Sequence, residues 1–412
     1  MEPAAELDLA GLGLDQGGHL LVRRALRRLR PGEELAVRGS HPDLQLHLAA
    51  FCRGHGISWR PGPAGRADLP VAPTPAPSTV LLARPPFPLD RRGGAERAGK
   101  ADARAPGALC DSPPARWGLA ARGALVEAGG PEFHFPLATR DQVWAEEAID
   151  LYAQAAAAQW DPATAVDWQA PFELPDEVEE AVVQVMTYLI ENETAALIIP
   201  AHFAARIHPH FREVVQVLAI QAADEARHIE VFTRRALLKR PELGLSTAGG
   251  QLSLRTLVEE PDFALASFLL SVMGEGTFLT LLWFLHEHAP DPVTRQVARL
   301  AAQDEARHVA FGLAHLTGQL EAEPGLRSRL RNAVEQRHDA LRETSGLNEE
   351  VSDALCLLAA GSWENEAVAR GFAQVTALRA EMDRGRQGRL RRLGFPPGEA
   401  EALSGLHTRN FM

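Results

Sequence analysis

The sequence predicts a mainly α protein, a four-helix bundle with extra helices, preceded by a small α/β domain. Three observations carry this. From about residue 140 the pattern is helical nearly to the end, broken only at proline- and glycine-bearing points. Inside that region Asp224-Glu225-Ala226-Arg227-His228 recurs as Asp304-Glu305-Ala306-Arg307-His308, 80 residues later. Upstream, residues 5–60 alternate short strand and helix signals and then give way to a proline-dense stretch.

In order along the chain, residues 7–9 read as a strand and 18–29 as an amphipathic helix. A Pro31-Gly32 turn leads to a strand at 34–37, a helix at 43–53 and a strand at 57–59. This β-α-β-α-β unit spans 1–60, and extends to 85 if residues 78–83 return as a fourth strand. Residues 61–116 hold 12 of the 29 prolines, so 61–139 is expected to be a Pro/Gly/Arg-rich linker. The bundle is expected at 140–323, with breaks at 171–175, 208–209, 241–250 and 290–292. After a further break at 324–325, residues 324–412 are expected as helices packing on it.

Composition narrows the function classes. The chain has 412 residues, 46% hydrophobic and 23% charged, which is ordinary globular composition. Its three cysteines, Cys52, Cys110 and Cys356, form no CxxC pair, which excludes a disulfide scaffold and a thiolate zinc site. Net charge is −12; residues 1–140 carry 18 basic and 14 acidic side chains, residues 141–412 carry 24 and 40. An acidic main body argues against a nucleic-acid partner. The first residues lack a basic segment followed by an apolar one, so a cytoplasmic location is expected. Residues 263–285 hold one charge in 23 residues, long enough to span a bilayer. That charge, Glu275, sits at the centre, where hydrocarbon disfavours it. A helix buried inside the bundle, with no membrane partner, is the expectation.

The repeated pentapeptide carries chemistry. Glu225 and His228, like Glu305 and His308, are i and i+3 on a helix and leave the same face. Each motif follows a helix with a carboxylate in an apolar setting, Glu193 in one and Glu275 in the other; Glu191 points the other way. Glu193 and Glu225 are equidistant from Pro209, and Glu275 and Glu305 from Pro290. In an antiparallel hairpin such residues lie level, here about 24 Å from the turn at roughly 1.5 Å per residue. Two hairpins together bring four Glu and two His to one layer. Unpaired, such a layer is too costly to bury; two divalent cations balance it. A Glu from each of two helices plus Glu-x-x-His from each of the others is a di-iron or di-manganese arrangement. Carboxylate and imidazole without thiolate suit iron or manganese. The competing account is a set of surface helix charges paired with Arg227 and Arg307.

On these residues, over roughly 140–320, the chain resembles the ferritin-like di-metal carboxylate superfamily. The matching metal ligands are Glu193, Glu225, His228, Glu275, Glu305 and His308, with Glu193 and Glu275 as candidate catalytic carboxylates. The resemblance implies two Fe ions, with Mn/Fe and Mn/Mn as alternatives. The segment from Trp160 to Trp168 is similar to the tryptophan-bearing stretch of ribonucleotide reductase small subunits. That likeness would place Asp304 on His228 with Trp160 behind it, and pseudo-symmetry would place Asp224 on His308. Trp160 reads equally well as a buried anchor. The reductases' radical tyrosine position is Phe232 here, so radical generation for a reductase partner is not expected. The extra histidine of the arylamine N-oxygenases is Ala301 here, and ferritins proper lack the paired motif. Tyr188 is the one phenol near the site, with packing the simpler account. His202, His208, His210, His286 and His288 read as solvated turn residues, and Glu364 and Glu366 as candidates for supporting the ligands.

Residues 8–60 resemble the small sulfur-carrier family typified by TusA. The resemblance rests on Asp8 to Leu12, Ala25-Leu26, Leu29 to Glu33 and Asp43 to Cys52. That family carries its persulfide on a cysteine in a Cys-Pro-x-Pro turn. The turn here is Leu14-Asp15-Gln16-Gly17, so a docking or regulatory role is expected instead.

The functional expectation is an O2-activating di-metal oxidase or oxygenase acting on a small organic molecule. Three others stay open: oxidation of ferrous iron or peroxide without an organic substrate, a metal-dependent scaffold recruiting a sulfur-handling partner, and hydroxylation of a thiolated tRNA base. No flavin or nicotinamide fingerprint is present, so electrons would come from an external reductase; a homodimer is left open.

Overall fold

The computed structural model describes residues 3–61, 78–85, 95–99, 109–342 and 349–409, and the chain is mostly helical. It divides into two compact units, Met1–Arg97 with Leu125–Gly130, and Ala98–Ala124 with Pro131–Met412.

The first unit runs β1 (Ala5–Asp8), α1 (Gly18–Arg28), β2 (Glu34–Gly39), α2 (Leu44–His55), β3 (Trp59–Pro61) and β4 (Ser78–Ala83). Its sheet has the order β1-β2-β4-β3, with β1 parallel to β2 and β4 antiparallel to both of its neighbours. The strand left open in the sequence is thus interior to the sheet. Its run Val80-Leu81-Leu82 is wholly buried, as suits a strand paired on both sides. Val22 and Leu26 of α1 and Leu44, Leu48 and Cys52 of α2 pack with Leu35, Val37, Val80 and Leu82 of the sheet.

The second unit contains α3 (Arg140–Val143), α4 (Ala148–Ala157), α5 (Asp176–Ala204), α6 (Arg212–Ala236) and α7 (Ala248–Val258). It continues with α8 (Phe263–Ser267), a π-helical segment (Phe268–Glu275), α9 (Gly276–His288) and α10 (Pro292–Ala322). The C-terminal helices are α11 (Leu326–Leu341), α12 (Glu349–Ala360), α13 (Asn365–Arg392) and α14 (Pro397–Arg409). Local chemistry sets the boundaries. Three acids, Asp176, Glu177 and Glu179, occupy the first turn of α5, where the helix dipole favours negative charge. Asp291 caps α10 by accepting from Thr294 N at 2.8 Å, with Pro292 at the first helical position. Asp262 caps α8 in the same way through Leu265 N.

α5 packs along α6, α9 and the π segment pack along α10, and α6 meets α10, which forms the four-helix core. α12 lies on α5 and α13 on α9. Two apolar clusters fill the bundle. One includes Ile199, Phe203, Leu218, Met273 and Phe311; the other includes Met186, Leu189, Phe232, Leu282 and Ala301. The polar layer of the repeat lies between them along every core helix. At the far end, fully buried Arg235 of α6 ties the hairpins together. It donates to Glu179 at 2.6 and 3.0 Å, to Asp291 at 2.8 and 3.2 Å and to Thr294 at 2.8 Å.

Three features differ from the sequence reading. The apolar stretch is not one regular helix: its middle is π-helical and ends on Glu275. Most of this helix is buried inside the bundle; α5 is also long and apolar enough to cross a membrane by length and composition. Second, part of the expected linker packs within the helical unit, while 62–77, 86–94 and 100–108 lie outside the described residues. Trp117 is buried, and the Arg122 guanidinium grips Glu213 through two bonds of 3.0 and 2.7 Å. Third, this segment covers the α5–α6 turn, so His208 and His210 are buried rather than solvated. His210 Nε2 accepts from Cys110 N at 2.9 Å, and Leu137 pairs with Ile207.

The π segment lies close against α10 at Gly312, where a Cβ would collide with that of Ser271. Gly312→Ala is therefore expected to destabilise the chelated protein by about 1–3 kcal/mol, the usual cost of overpacking a core. Urea denaturation monitored by circular dichroism measures this.

Candidate metal centre

The layer is built from four helices. α5 supplies Glu193, α6 supplies Glu225 and His228, the end of the π segment supplies Glu275, and α10 supplies Glu305 and His308. All six are at most 4% exposed. Their donor atoms form two overlapping sets, each within 4.8 Å. One holds Glu193, Glu225, His228 and Glu305; the other holds Glu225, Glu275, Glu305 and His308.

Glu225 and Glu305 belong to both sets, and their oxygens divide between the two imidazoles. His228 Nδ1 lies 3.1 Å from Glu225 Oε2, 3.5 Å from Glu305 Oε1 and 3.6 Å from Glu193 Oε2. His308 Nδ1 lies 3.0 Å from Glu225 Oε1 and 3.4 Å from Glu305 Oε2. Several of these close approaches are not hydrogen bonds. Glu225 Oε1, Glu275 Oε2, Glu305 Oε2 and His308 Nδ1 are buried without a hydrogen-bond partner. Donor atoms that crowd together without facing one another converge on shared points between them. Buried, unsatisfied oxygens and nitrogens in this number are what a pair of cations would relieve. The residues present fit a metal pair.

The outer nitrogens of both imidazoles are held by carboxylates of the opposite motif. His228 Nε2 lies 3.2 Å from Asp304 Oδ2, and His308 Nε2 lies 3.2 Å from Asp224 Oδ2. Asp304 Oδ2 also accepts from Trp160 Nε1 at 2.8 Å and from Arg227 at 2.9 Å, and Asp304 Oδ1 accepts from Arg307. Asp224 Oδ1 accepts from Gln159 at 2.8 Å and from Arg227. The Arg227 guanidinium sits 4.7 Å over the Trp160 ring. Both aspartates are buried, so these pairs are interior and not a solvated surface lattice. Arg227 and Arg307 balance the two aspartates, which leaves the four glutamates uncompensated by either arginine of the motifs.

Without a cation, protons take up that charge. Burial, followed by the neighbouring Glu225 and Glu305 charges, holds Glu193 well above the usual carboxylate range. Burial and then Glu305 do the same to Glu275. Burial alone would also raise Glu225, but the flanking His308 and His228 outweigh it and bring it below that range. Burial works to lower both histidines and is overcome. The bond to Asp304 and the close Glu193, Glu225 and Glu305 carboxylates raise His228, and the Glu225 and Glu305 charges with the Asp224 bond raise His308.

Beside the layer lies a cavity of about 30 Å³, walled by Ala196, Leu254, Leu257, Leu270 and Phe278 and reaching Glu193, Glu275 and Glu305. Tyr188 is not in the layer. It is buried, its ring stacks on Phe278 at 5.6 Å, and burial raises its phenol. Phe232 fills the space 6.3 Å from the His228 ring. Glu364 and Glu366 are exposed at the start of α13, because that turn faces solvent, and support nothing here. Sequence reasoning missed Gln221, Gln159 and Ser271. The signal for Gln221 was a polar residue one turn before Glu225 on the apolar stripe of α6; Gln159 lies outside any regular element and gave none.

No protein-family model matches the chain, and a search of curated proteins found no match to it. Among solved structures, a variant of an R2-like ligand-binding oxidase with an aerobically reconstituted Mn/Fe cofactor is 18% identical. That match covers 60% of this chain and 93% of the other, with a TM-score of 0.48. A variant with an Fe/Fe cofactor is 18% identical over 60% and 92% of the two chains, with a TM-score of 0.47. An R2-like ligand-binding oxidase without metal cofactor is 17% identical over 60% and 96%, with a TM-score of 0.45.

Proposed function

We propose that the protein is a di-metal carboxylate oxidoreductase that uses O2 to oxidise or oxygenate a small organic molecule. The observation that carries this reading is the division of Glu225 and Glu305, each with one oxygen toward each imidazole Nδ1. One ion would be held by Glu193, Glu225, His228 and Glu305, the other by Glu225, Glu275, Glu305 and His308. Carboxylate and imidazole donors favour Fe/Fe, Mn/Fe or Mn/Mn. When bound, the pair would supply the redox chemistry that reduces O2.

The chain's own residues have distinct tasks. Asp224 and Asp304 accept from Nε2–H of the imidazoles, which fixes the tautomer and turns each Nδ1 lone pair inward. Glu193 and Glu275 border the cavity and are the carboxylates free of the bridging role. The apolar wall excludes water and admits dioxygen or the hydrocarbon part of a substrate. It disfavours a hydrated ferrous ion, whose burial there would be costly. The small volume favours the second reading, oxidation of ferrous iron or reduction of peroxide without an organic substrate.

For the first unit we infer a docking role, resting on its likeness to sulfur carriers and the lack of a cysteine in the Leu14 to Gly17 turn. Cys52 is no substitute nucleophile, since burial pushes its thiol up to about 11. Electrons would come from a separate reductase, in the cytoplasm, with no membrane or nucleic-acid partner.

The test loads the full chain anaerobically with Fe(II) and pulses it with O2. Consumption of O2 limited to about the two ions held per chain, with sustained turnover only when reductant is supplied, supports the oxidase reading. Continued oxidation and retention of added Fe(II) well beyond that supports the second. A loaded protein that leaves O2 untouched sinks both and leaves a metal-dependent scaffold.

A further inference from the structure

The two halves of the repeat match at the ligands and differ one turn before them. Gln221 and Ala301 precede Glu225 and Glu305 by four residues; Leu189 and Ser271 precede Glu193 and Glu275 by the same spacing. Residues i and i+4 share a helix face, so all four back onto the layer. The polar pair converges on one ligand only. Gln221, 2% exposed, donates from Nε2 to Glu275 Oε1 at 2.8 Å, and the Ser271 hydroxyl, one turn before, favours the charged form of this carboxylate. Glu275 Oε2 is left without a partner. Leu189 and Ala301, both fully buried, have no polar group to offer Glu193. Among the described residues, no hydrogen bond from outside the layer reaches Glu193.

We infer that Gln221 is a positioning residue that makes the two metal positions unequal, by holding Glu275 to a single free oxygen while Glu193 keeps both. This rests on the di-metal reading above. An oxygen engaged by a buried amide N–H has less to give a cation. Rotating the carboxylate to chelate would strand that amide in the core, where an unpaired donor is costly. The position at Glu193 and His228 therefore offers one more protein oxygen than the position at Glu275 and His308. It fills first, and the second position, with one protein oxygen fewer, keeps more room for a small molecule arriving from the cavity that Glu193 and Glu275 both line.

Titration of the full chain with Mn(II) under anaerobic conditions, read by the EPR signal of free Mn(II), tests this. Wild type is expected to take up two ions with dissociation constants at least about tenfold apart. His308→Ala should retain the tight step and His228→Ala the weak one. Gln221→Met keeps the length without the amide and should narrow the separation to under about threefold. Ser271→Ala, a smaller change on the same carboxylate, should move it the same way and serves if Gln221→Met does not fold. Two equal steps in wild type, or an unchanged separation in the folded variants, overturns this inference and leaves the metal pair standing. A wild type that binds no Mn(II) or Fe(II) overturns the metal pair itself.

Discussion

Chelated protein is expected to lose thermal stability as the pH rises from about 6.5 to about 8, and two equivalents of Mn(II) are expected to reverse that slope. The sign follows from the four groups raised in the fold. Glu193 and Glu275 are held above their ordinary 4.5 and His228 and His308 above their ordinary 6.5, so the folded, metal-free state binds more protons than the unfolded one. Stability from such groups is complete below the unfolded value and is lost as pH climbs through the folded one. The window opens near 4.5 for the two glutamates and near 6.5 for the two histidines. Glu225, Asp224 and Asp304 are lowered and act in the opposite sense at more acidic pH. The buried His208, His210 and His315, lowered from 6.5, do so up to about 6.5, so the raised groups set the slope above that. Metal binding needs carboxylates and neutral imidazoles, so it expels these protons and tightens with pH. Each ion at about 100 times its dissociation constant adds about 2.7 kcal/mol. Differential scanning calorimetry across pH, with and without Mn(II), measures both slopes. Glu225→Ala or Glu305→Ala should abolish the metal response at both positions, because each carboxylate serves both. Glu193→Ala should weaken one ion more than the other. A Tm that rises with pH above about 6.5 in the chelated protein, or a metal response that survives loss of both Glu225 and Glu305, would reject this account.

What the sequence made legible was whatever repeats or is spaced symmetrically. Two identical pentapeptides and two carboxylates equidistant from proline turns define a layer, because helical rise and antiparallel pairing convert residue counts into height. The breaks between helices were legible for the same reason: capping acids and prolines act locally, as Asp291-Pro292 does for α10. Contacts that join distant segments left no such mark. Arg122 reaching Glu213 is one arginine among forty, and nothing local shows that residues 109–124 fold over the α5–α6 turn and bury His208 and His210. The π-helical turn before Glu275 was equally silent. Its sequence is as apolar as a regular buried helix, and what accompanies the wide turn is the close approach of Ser271 to Gly312, 41 residues away. The bonds of Gln221 and Gln159 depend on the crossing of helices and were invisible until the helices were placed.

Asp304→Asn is expected to weaken metal affinity or slow oxidation by roughly 10- to 100-fold, the usual result of removing the carboxylate behind a histidine ligand. The contacts show why a swap so small in volume has a large effect. Asp304 Oδ2 accepts from Trp160, Arg227 and His228, and Oδ1 accepts from Arg307. Asparagine has one oxygen, so its amide nitrogen must face either Arg307 or the other three donors. Turning the nitrogen toward Arg307 keeps the His228 bond but sets two donors against each other in the interior, at about 1–3 kcal/mol. In either orientation the negative charge that polarises the imidazole is gone, and Nδ1 becomes a poorer donor. Because the aspartates cross between motifs, the two variants should differ in which ion they weaken. Asp304→Asn acts on the position at His228, and Asp224→Asn acts through its 3.2 Å contact on the position at His308. If the aspartates serve only to pair with Arg227 and Arg307, both variants lose stability while their Mn(II) affinities and reaction rates stay those of wild type. Stopped-flow mixing of the ferrous protein with O2, beside a Mn(II) titration of each variant, separates the two: unchanged rates together with unchanged affinities would leave the imidazoles' outer partners with a packing role alone.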